Sequence, residues 1–232
     1  MKIEPRFRKV HALKRREHHP LLHKIHRKHK ISYQTLFYMK EYNTRAHTIT
    51  TVLSQSLKII VAMAIVSAFG GIGLETIKEK FVLIMPLMIM LPALNDMVGD
   101  FGATVSSKFA TMLYTRQVRL SRGVLRSGAF MKLVRNMLIV SVLSSVYVGI
   151  LSSAVALYSG FPLDGSVAIR VVILSVATTS ILIGMTFLSA VLTGVYIFSR
   201  KEDPNNFLIP ITTAVADLGS MIVFSLLVLY LF

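Results

Sequence analysis

Apolar residues along this chain gather into five long segments, which begin only after about fifty polar-rich residues. The segments cover roughly residues 52–74, 81–114, 134–158, 168–198 and 205–232. A membrane-spanning helix needs about 20 apolar residues at a rise of about 1.5 Å each, so every segment is long enough to cross a bilayer. The pattern predicts an all-α membrane protein with five transmembrane helices.

The second segment is longer than one crossing requires. From Phe81 to Tyr114 it has 34 residues, which would measure about 50 Å as one helix, against a hydrocarbon core of about 30 Å. Pro92 removes a backbone donor and crowds the preceding turn. Gly99 and Gly102 loosen the backbone that follows. We therefore expect a kinked or interrupted second helix whose lower half projects towards the cytoplasm.

The connections between the segments differ in charge. The charged residues in and beside the second connection are all basic: Lys108, Arg116, Arg119, Arg122, Arg126, Lys132 and Arg135. The fourth holds Arg200 and Lys201, whereas the first is balanced and the third carries only Asp164. Because cationic loops stay on the cytoplasmic side, we expect the N-terminus inside and the C-terminus outside.

Residues 1–47 form a separate basic unit that contains all 7 histidines of the chain. Its only acids are Glu4, Glu17 and Glu41. We interpret it as a His-rich cytoplasmic arm, partly helical, lying in water or on anionic headgroups. The histidines lack regular ligand spacing, which favours solvated side chains over a metal site. Residues 48–232 then form the transmembrane domain.

Composition agrees with a membrane protein that has basic material beside the bilayer. The chain is 53% hydrophobic and yet has a formal net charge of +15, a combination unusual for a soluble domain. With no cysteine, it has no disulfide and no thiolate metal site. We find no nucleophile paired with a base, no phosphate-binding loop and no redox centre, so we do not expect an enzyme.

Three of the acids lie inside apolar segments: Asp96, Asp100 and Asp217. An acid at the centre of a membrane helix costs roughly 2.5–3.5 kcal/mol on insertion scales, so its presence needs a reason. Asp96 and Asp100 are four residues apart and share a helical face, with Asn95 on the adjacent strip. Thr213 and Ser220 share a face with Asp217 in the same way. Carboxylate, amide and hydroxyl oxygens suit the hard cations Mg²⁺, Ca²⁺ and Mn²⁺.

A structural role for these acids is the alternative. Asp217 could pair with a basic residue or stay protonated, and Lys58 and Arg170 are the basic residues deep enough to be considered. Arg170, at the outer end of its segment, can instead extend its guanidinium to the interface. We expect Asp217 to have a functional role and regard structural pairing as more plausible for Asp96.

Two stretches resemble signatures of the MgtE-type magnesium transporters and the related solute carrier family 41. PALNDMVGDFGATVSSKFATML resembles the second-helix signature and matches it at Pro92, Gly99, Asp100 and Gly102, although the family commonly has Asn where this chain has Asp100. DPNNFLIPITTAVADLG resembles the final-helix signature and matches it at Asp203, Pro204, Pro210, Thr213 and Asp217. The resemblance covers roughly residues 50–232, in the order of the family.

The resemblance implies that Asp217 is a pore carboxylate that binds hydrated Mg²⁺ opposite its mate in a homodimer. Asp100 would add a second anionic ring, and Asn95, Asp96 and Thr213 complete the predicted metal-binding set. The regulatory cytoplasmic domains of MgtE have no counterpart in the arm of residues 1–47, so we expect gating to differ or to be absent.

We therefore predict a divalent cation channel or transporter in the plasma membrane, with Mg²⁺ as the first choice of ion and Mn²⁺ or Ca²⁺ as alternatives. Its expected partners are membrane lipids, divalent cations and a second copy of the chain, with no specific nucleic acid. The competing hypothesis is a non-transporting membrane scaffold whose basic arm binds anionic lipid or nucleic acid. The arm supports the scaffold, and the intramembrane acids oppose it.

Overall fold

The computed structural model describes residues 47–115, 117–118, 123–200 and 204–232, with side chains given from residue 57 onwards except that of Arg126. The described chain is helical and contains no strand, which confirms the all-α prediction for these residues. Most of the predicted arm and part of the basic second connection lie outside the described residues. The helices are α1 (His47–Ala68), α2 (Gly70–Glu75), α3 (Lys78–Leu83), α4 (Met85–Tyr114), α5 (Gly128–Tyr158), α6 (Gly165–Ser199) and α7 (Asn205–Leu231), with a 3₁₀ turn at Val124–Arg126.

Four helical stretches are long and apolar enough to cross a membrane: Leu57–Glu75, Gly128–Tyr158, Gly165–Ser199 and Asn205–Leu231. The second predicted span, which is now α4, is not among them. Its middle carries Asn95, Asp96 and Asp100, which lower its mean hydropathy. Apolar length thus supports four of the five predicted crossings.

The predicted interruption of the second segment lies at Ile84, outside the Pro92–Gly102 stretch. Ile84 leaves the helical region with φ −117° and ψ 84°, and Pro86 follows at the start of α4. A residue that precedes the first turn of a helix can adopt non-helical backbone angles without loss of a helical hydrogen bond. Proline is favoured in that first turn, where its missing N–H would have no partner within the helix. Helix α4 then continues without a break through Pro92 to Tyr114. Its buried face packs on both sides of Pro92, which offsets the lost hydrogen bond.

Helices α6 and α7 are antiparallel along their whole length. At one end the Arg170 guanidinium donates to the backbone carbonyl of Leu231 at 3.1 Å. Near the middle, Gly219 lies so close to Leu182 that an added Cβ would approach Leu182 Cδ2 to 2.9 Å. An added side chain would force Leu182 to shift, so the two helices are in close contact at this depth. The register between the two helices is therefore fixed at several depths.

Helix α5 is antiparallel to α6, and its contacts are made by small residues and rings. The Ser175 hydroxyl donates to the Ser145 carbonyl at 2.8 Å. Nearer the other end, the rings of Phe130 and Phe187 meet edge to face at 5.9 Å. Small residues that let helix backbones approach closely are typical of helix packing in membranes. Helices α4, α5, α6 and α7 together enclose the buried core.

Helices α1 and α2 lie outside this core and pack mainly against α7. Gly70 and Gly73 bring the backbone of α2 onto α7 at Met221. Only 6% of the Leu57–Glu75 span is buried, and its outward side chains are large and apolar. This is the surface expected of a helix that faces lipid tails.

Candidate metal site

Asn95 and Asp217 meet where α4 crosses α7. The Asn95 amide nitrogen Nδ2 donates a hydrogen bond to Asp217 Oδ1 at 3.1 Å. Both side chains are partly buried in the single chain. The structure thus brings together two residues that are 122 positions apart and that the sequence assigned to one cation site.

Ser220 completes this cluster, one helical turn beyond Asp217. Its hydroxyl donates to Asn95 Oδ1 and also lies 2.8 Å from the backbone carbonyl of Asp217. Ser220 is fully buried. The three side chains form a continuous hydrogen-bonded chain from the interior of the α4–α7 contact to the carboxylate.

A second polar contact joins the same two helices nearer the start of α7. The hydroxyls of Ser106 and Thr212 lie 2.7 Å apart, and both residues are fully buried. Thr212 Oγ1 also lies 2.8 Å from the Leu208 carbonyl and 3.3 Å from the Gly102 carbonyl. Helices α4 and α7 are close here, since a Cβ added at Gly102 would be in van der Waals contact with the backbone of Thr212 at 3.5 Å.

The exposed side of α4 is apolar at Met88, Pro92 and Ala93 and becomes polar from Asp96 onwards, where Lys108 is exposed as well. Its exposed positions include two carboxylates and two hydroxyls at helical spacing, Asp96, Asp100, Thr104 and Ser107. We call these four residues the α4 polar stripe. Gly99 lies beside the stripe with nothing within 4 Å of the position of an added Cβ. On the opposite side, Leu94, Val98 and Val105 are fully buried.

The five predicted site residues are thus divided between two groups. Asn95 and Asp217 are in direct contact, and Thr213 is half-buried one turn before Asp217 on the same helix. Asp96 and Asp100 lie on the exposed side of α4. Asp96 directly follows Asn95 in the sequence, and Asp100 lies one helical turn further along. Among the described residues, neither carboxylate makes a hydrogen bond to Asn95 or Asp217.

The basic residues considered as structural partners of Asp217 do not pair with it. Arg170 binds the Leu231 carbonyl. Among the described residues the only ion pair joins Lys78 to Glu75 on the exposed surface. Within the same residues, no group of three or more His, Asp or Glu side chains is close enough to hold a metal.

Several polar contacts were not predicted from the sequence. The spacing placed Ser220 on the face of Asp217, but its hydrogen bond to Asn95 was not predicted. Ser106 and Thr212 gave no signal, because neither residue type is unusual in a membrane helix. The hydroxyls of Thr178 and Thr179, at the middle of α6, are buried without a hydrogen-bond partner among the described residues.

Comparison with protein families supports a membership for this chain. The model of the MgtE family, described as divalent cation transporter, matches residues 91–227. The match begins just before Pro92 and ends beyond Ser220, so it includes both halves of the Asn95–Asp217 contact and the α4 polar stripe. Comparison with curated proteins and with solved structures finds no match. Because the family match covers more than half of the chain, this multi-pass membrane protein belongs to the MgtE family of divalent cation transporters.

Proposed function

We propose that this protein carries Mg²⁺ across the plasma membrane along a hydrated path that two copies of the chain form beside Asp217. The observation that carries the proposal is the α4 polar stripe. Carboxylates exposed at membrane depth cannot face hydrocarbon without a cost of several kcal/mol. They are tolerated where they line water or contact protein. The stripe therefore favours a water-filled path or a second copy on this side of α4.

The helix directions support five crossings in the proposal. Helix α4 is antiparallel to α7, as Asn95 meets Asp217 at one depth and Ser106 meets Thr212 at another. Helices α4 to α7 thus alternate in direction, which fits four successive crossings, and the Leu57–Glu75 span supplies the fifth. Asp217 lies about 18 Å from the start of α7 at about 1.5 Å per residue, near the midplane. The basic connections keep the N-terminus cytoplasmic in this arrangement.

A homodimer supplies what one chain lacks. One copy offers a single Asp217, with Asp96 and Asp100 on a neighbouring face, and three carboxylates spread in this way make a weak divalent site. A two-fold axis beside α4 and α7 would double each of them around one path. Mg²⁺ loses water reluctantly, so an ion held by a few carboxylates and hydroxyls would keep most of its shell.

The proposed roles follow from position. Asp217 supplies the main charge that binds the hydrated ion at the midplane. Asp96 and Asp100 form the anionic part of the path along α4, and Thr213 offers a hydroxyl beside Asp217. Asn95 belongs to the same site through its contact with Asp217. Mn²⁺ and Ca²⁺ have similar oxygen preferences, so ion selectivity has to be measured.

The test is uptake of Mg²⁺ by proteoliposomes that contain the purified protein, followed by a series with Mn²⁺ and Ca²⁺. Asp217→Asn keeps the shape of the side chain and removes its charge, so we expect uptake to fall to background. Asp164→Asn makes the same chemical change in the exposed α5–α6 connection and serves as the matched control. Wild-type uptake by Asp217→Asn would refute the proposed role of this carboxylate.

A further inference from the structure

The Asn95 side chain is held at both ends. Its nitrogen donates to Asp217 Oδ1 at 3.1 Å, and its oxygen accepts from the Ser220 hydroxyl. An ionised carboxylate can only accept hydrogen bonds, so the NH₂ end of the amide is the end that fits Asp217. Ser220 then faces the amide oxygen, which it can satisfy because a hydroxyl has a proton to donate.

These contacts decide which oxygens remain for a cation. The Asn95 oxygen is engaged by Ser220, and Asp217 Oδ1 is engaged by Asn95. Asp217 Oδ2 has no hydrogen-bond partner among the described side chains. Ser220 itself is fully buried, so a hydrated ion cannot reach it. Ser220 can therefore affect ion binding only through its contacts, of which the one with Asn95 is the one that leads to the Asp217 side chain.

From this geometry we infer that Ser220 and Asn95 are positioning residues, which fix the Asp217 carboxylate in one orientation and present its Oδ2 to the cation. The inference rests on the proposed transport function and deepens it. It gives Asn95 a supporting role in place of direct ligation, and it adds a residue, Ser220, to the site. Groups that orient a ligating carboxylate typically change metal affinity by about 10–100-fold when removed.

The chain provides a matched control on the same helix. Ser225 is also a buried serine of α7, and its hydroxyl donates to the Met221 carbonyl at 2.6 Å, away from Asp217. Ser220→Ala and Ser225→Ala remove the same atom from the same kind of environment. Only the first change breaks the bond to Asn95. A general loss of packing or helix stability would affect both variants alike.

The experiment measures the KM and the maximal rate of Mg²⁺ uptake in proteoliposomes. Loss of orientation weakens ion binding, so Ser220→Ala should raise the KM roughly tenfold. The maximal rate should stay near that of the wild type. Ser225→Ala should match the wild type in both values. Ser220→Thr keeps the hydroxyl and should restore the KM. Equal KM values for the two alanine variants would overturn the inference.

Infrared spectroscopy of the purified protein separates this inference from the transport proposal. The carboxylate band lost in Asp217→Asn identifies Asp217. We expect Ser220→Ala to shift that band, because Asn95 is released, and Ser225→Ala to leave it in place. If the wild type carried no divalent ion, the transport proposal would fail, while the band shift would still support the Ser220–Asn95–Asp217 chain. An unchanged band in Ser220→Ala would refute that chain.

Discussion

The Leu57–Glu75 span and helix α4 differ in the polarity of the side chains that they expose. Outward side chains of the span are large and apolar, such as Ile65, which is 58% exposed. Outward side chains of α4 include the carboxylates and hydroxyls of the α4 polar stripe, followed by Lys108. Both helical stretches pack against the same helix, α7, through their opposite sides. An exposed surface in a membrane protein is thus informative only together with its chemistry.

The difference separates the two environments that a membrane helix can face. Lipid tails accept apolar side chains and offer no partner to polar ones, whereas a hydrated path accepts carboxylates. The span therefore marks the lipid side of the molecule. In the proposed function, the stripe marks the transported ion's side. Four changes test this division, from the largest expected effect to the smallest.

The first change uses the absence of cysteine in the chain. A single cysteine introduced by Thr104→Cys should react rapidly with a charged, water-soluble thiol reagent, because the stripe is proposed to face water. A cysteine introduced by Leu143→Cys, at a position that is 66% exposed on apolar α5, should react at least a hundredfold more slowly. Labelling rates in liposomes measure the contrast. Equal protection of both positions would place the stripe away from water.

The second change moves a carboxylate to the lipid side. Ile65→Asp should lower membrane insertion and stability by about 2.5–3.5 kcal/mol, the cost of an acid at the centre of a membrane helix. The comparison is Asp96→Ile, which should leave insertion unharmed and reduce Mg²⁺ uptake. Yield of folded protein and thermal unfolding in detergent measure both. Normal yield of Ile65→Asp would mean that this face of α1 meets water or polar protein.

The third change tests the buried contact between α4 and α7. Thr212→Val removes a hydroxyl and leaves Ser106 Oγ without its partner, which should cost about 1–3 kcal/mol of unfolding free energy. Adding Ser106→Ala removes the second partner, so the double variant should be less destabilised than the sum of the two single variants. Denaturation in detergent measures the cycle. Strict additivity would show that the two hydroxyls do not interact.

The fourth change restores the residue that is common in the family. Asp100→Asn should still insert and transport, with an apparent Mg²⁺ affinity lower by a few-fold, because one carboxylate of the stripe is lost while Asp217 stays. Ion titration by calorimetry measures the affinity, and Asp217→Asn should be far more damaging. Unchanged affinity in Asp100→Asn would remove this residue from the path.

Periodicity and apolar length identified the parts of the fold that depend on local sequence. The end of α4 at Tyr114 and the bounds of α6 and α7 were predicted to within three residues, whereas α5 begins at Gly128, six residues before the predicted start at residue 134. The break at Ile84 was not, because Pro92 and the glycines looked more disruptive than a proline that begins a helix. A proline in the sequence marks a position where a helix can break. Whether the helix continues through it depends on how the residues before and after the proline are packed.

The candidate site was predicted as a set of residues and not as a set of contacts. Oxygen chemistry and the resemblance selected Asn95 and Asp217, which do meet. Spacing alone could not show that Ser220 on α7 donates to the oxygen of Asn95 on α4. Spacing within a helix fixes which residues share a face, but the offset between two helices depends on packing, here including the buried Ser106–Thr212 contact.

The position of α1 also has a consequence for the order of assembly. Helix α1 packs mainly against α7, which is made last among the described helices. At about 5–20 residues per second of synthesis, α1 waits roughly ten to thirty seconds before α7 exists. The side chains exposed between Ile60 and Ile72 are apolar, so lipid tails can accept this stretch during that time. The carboxylates of α4 are costly in lipid, so α4 depends on contact with protein or water earlier than α1 does.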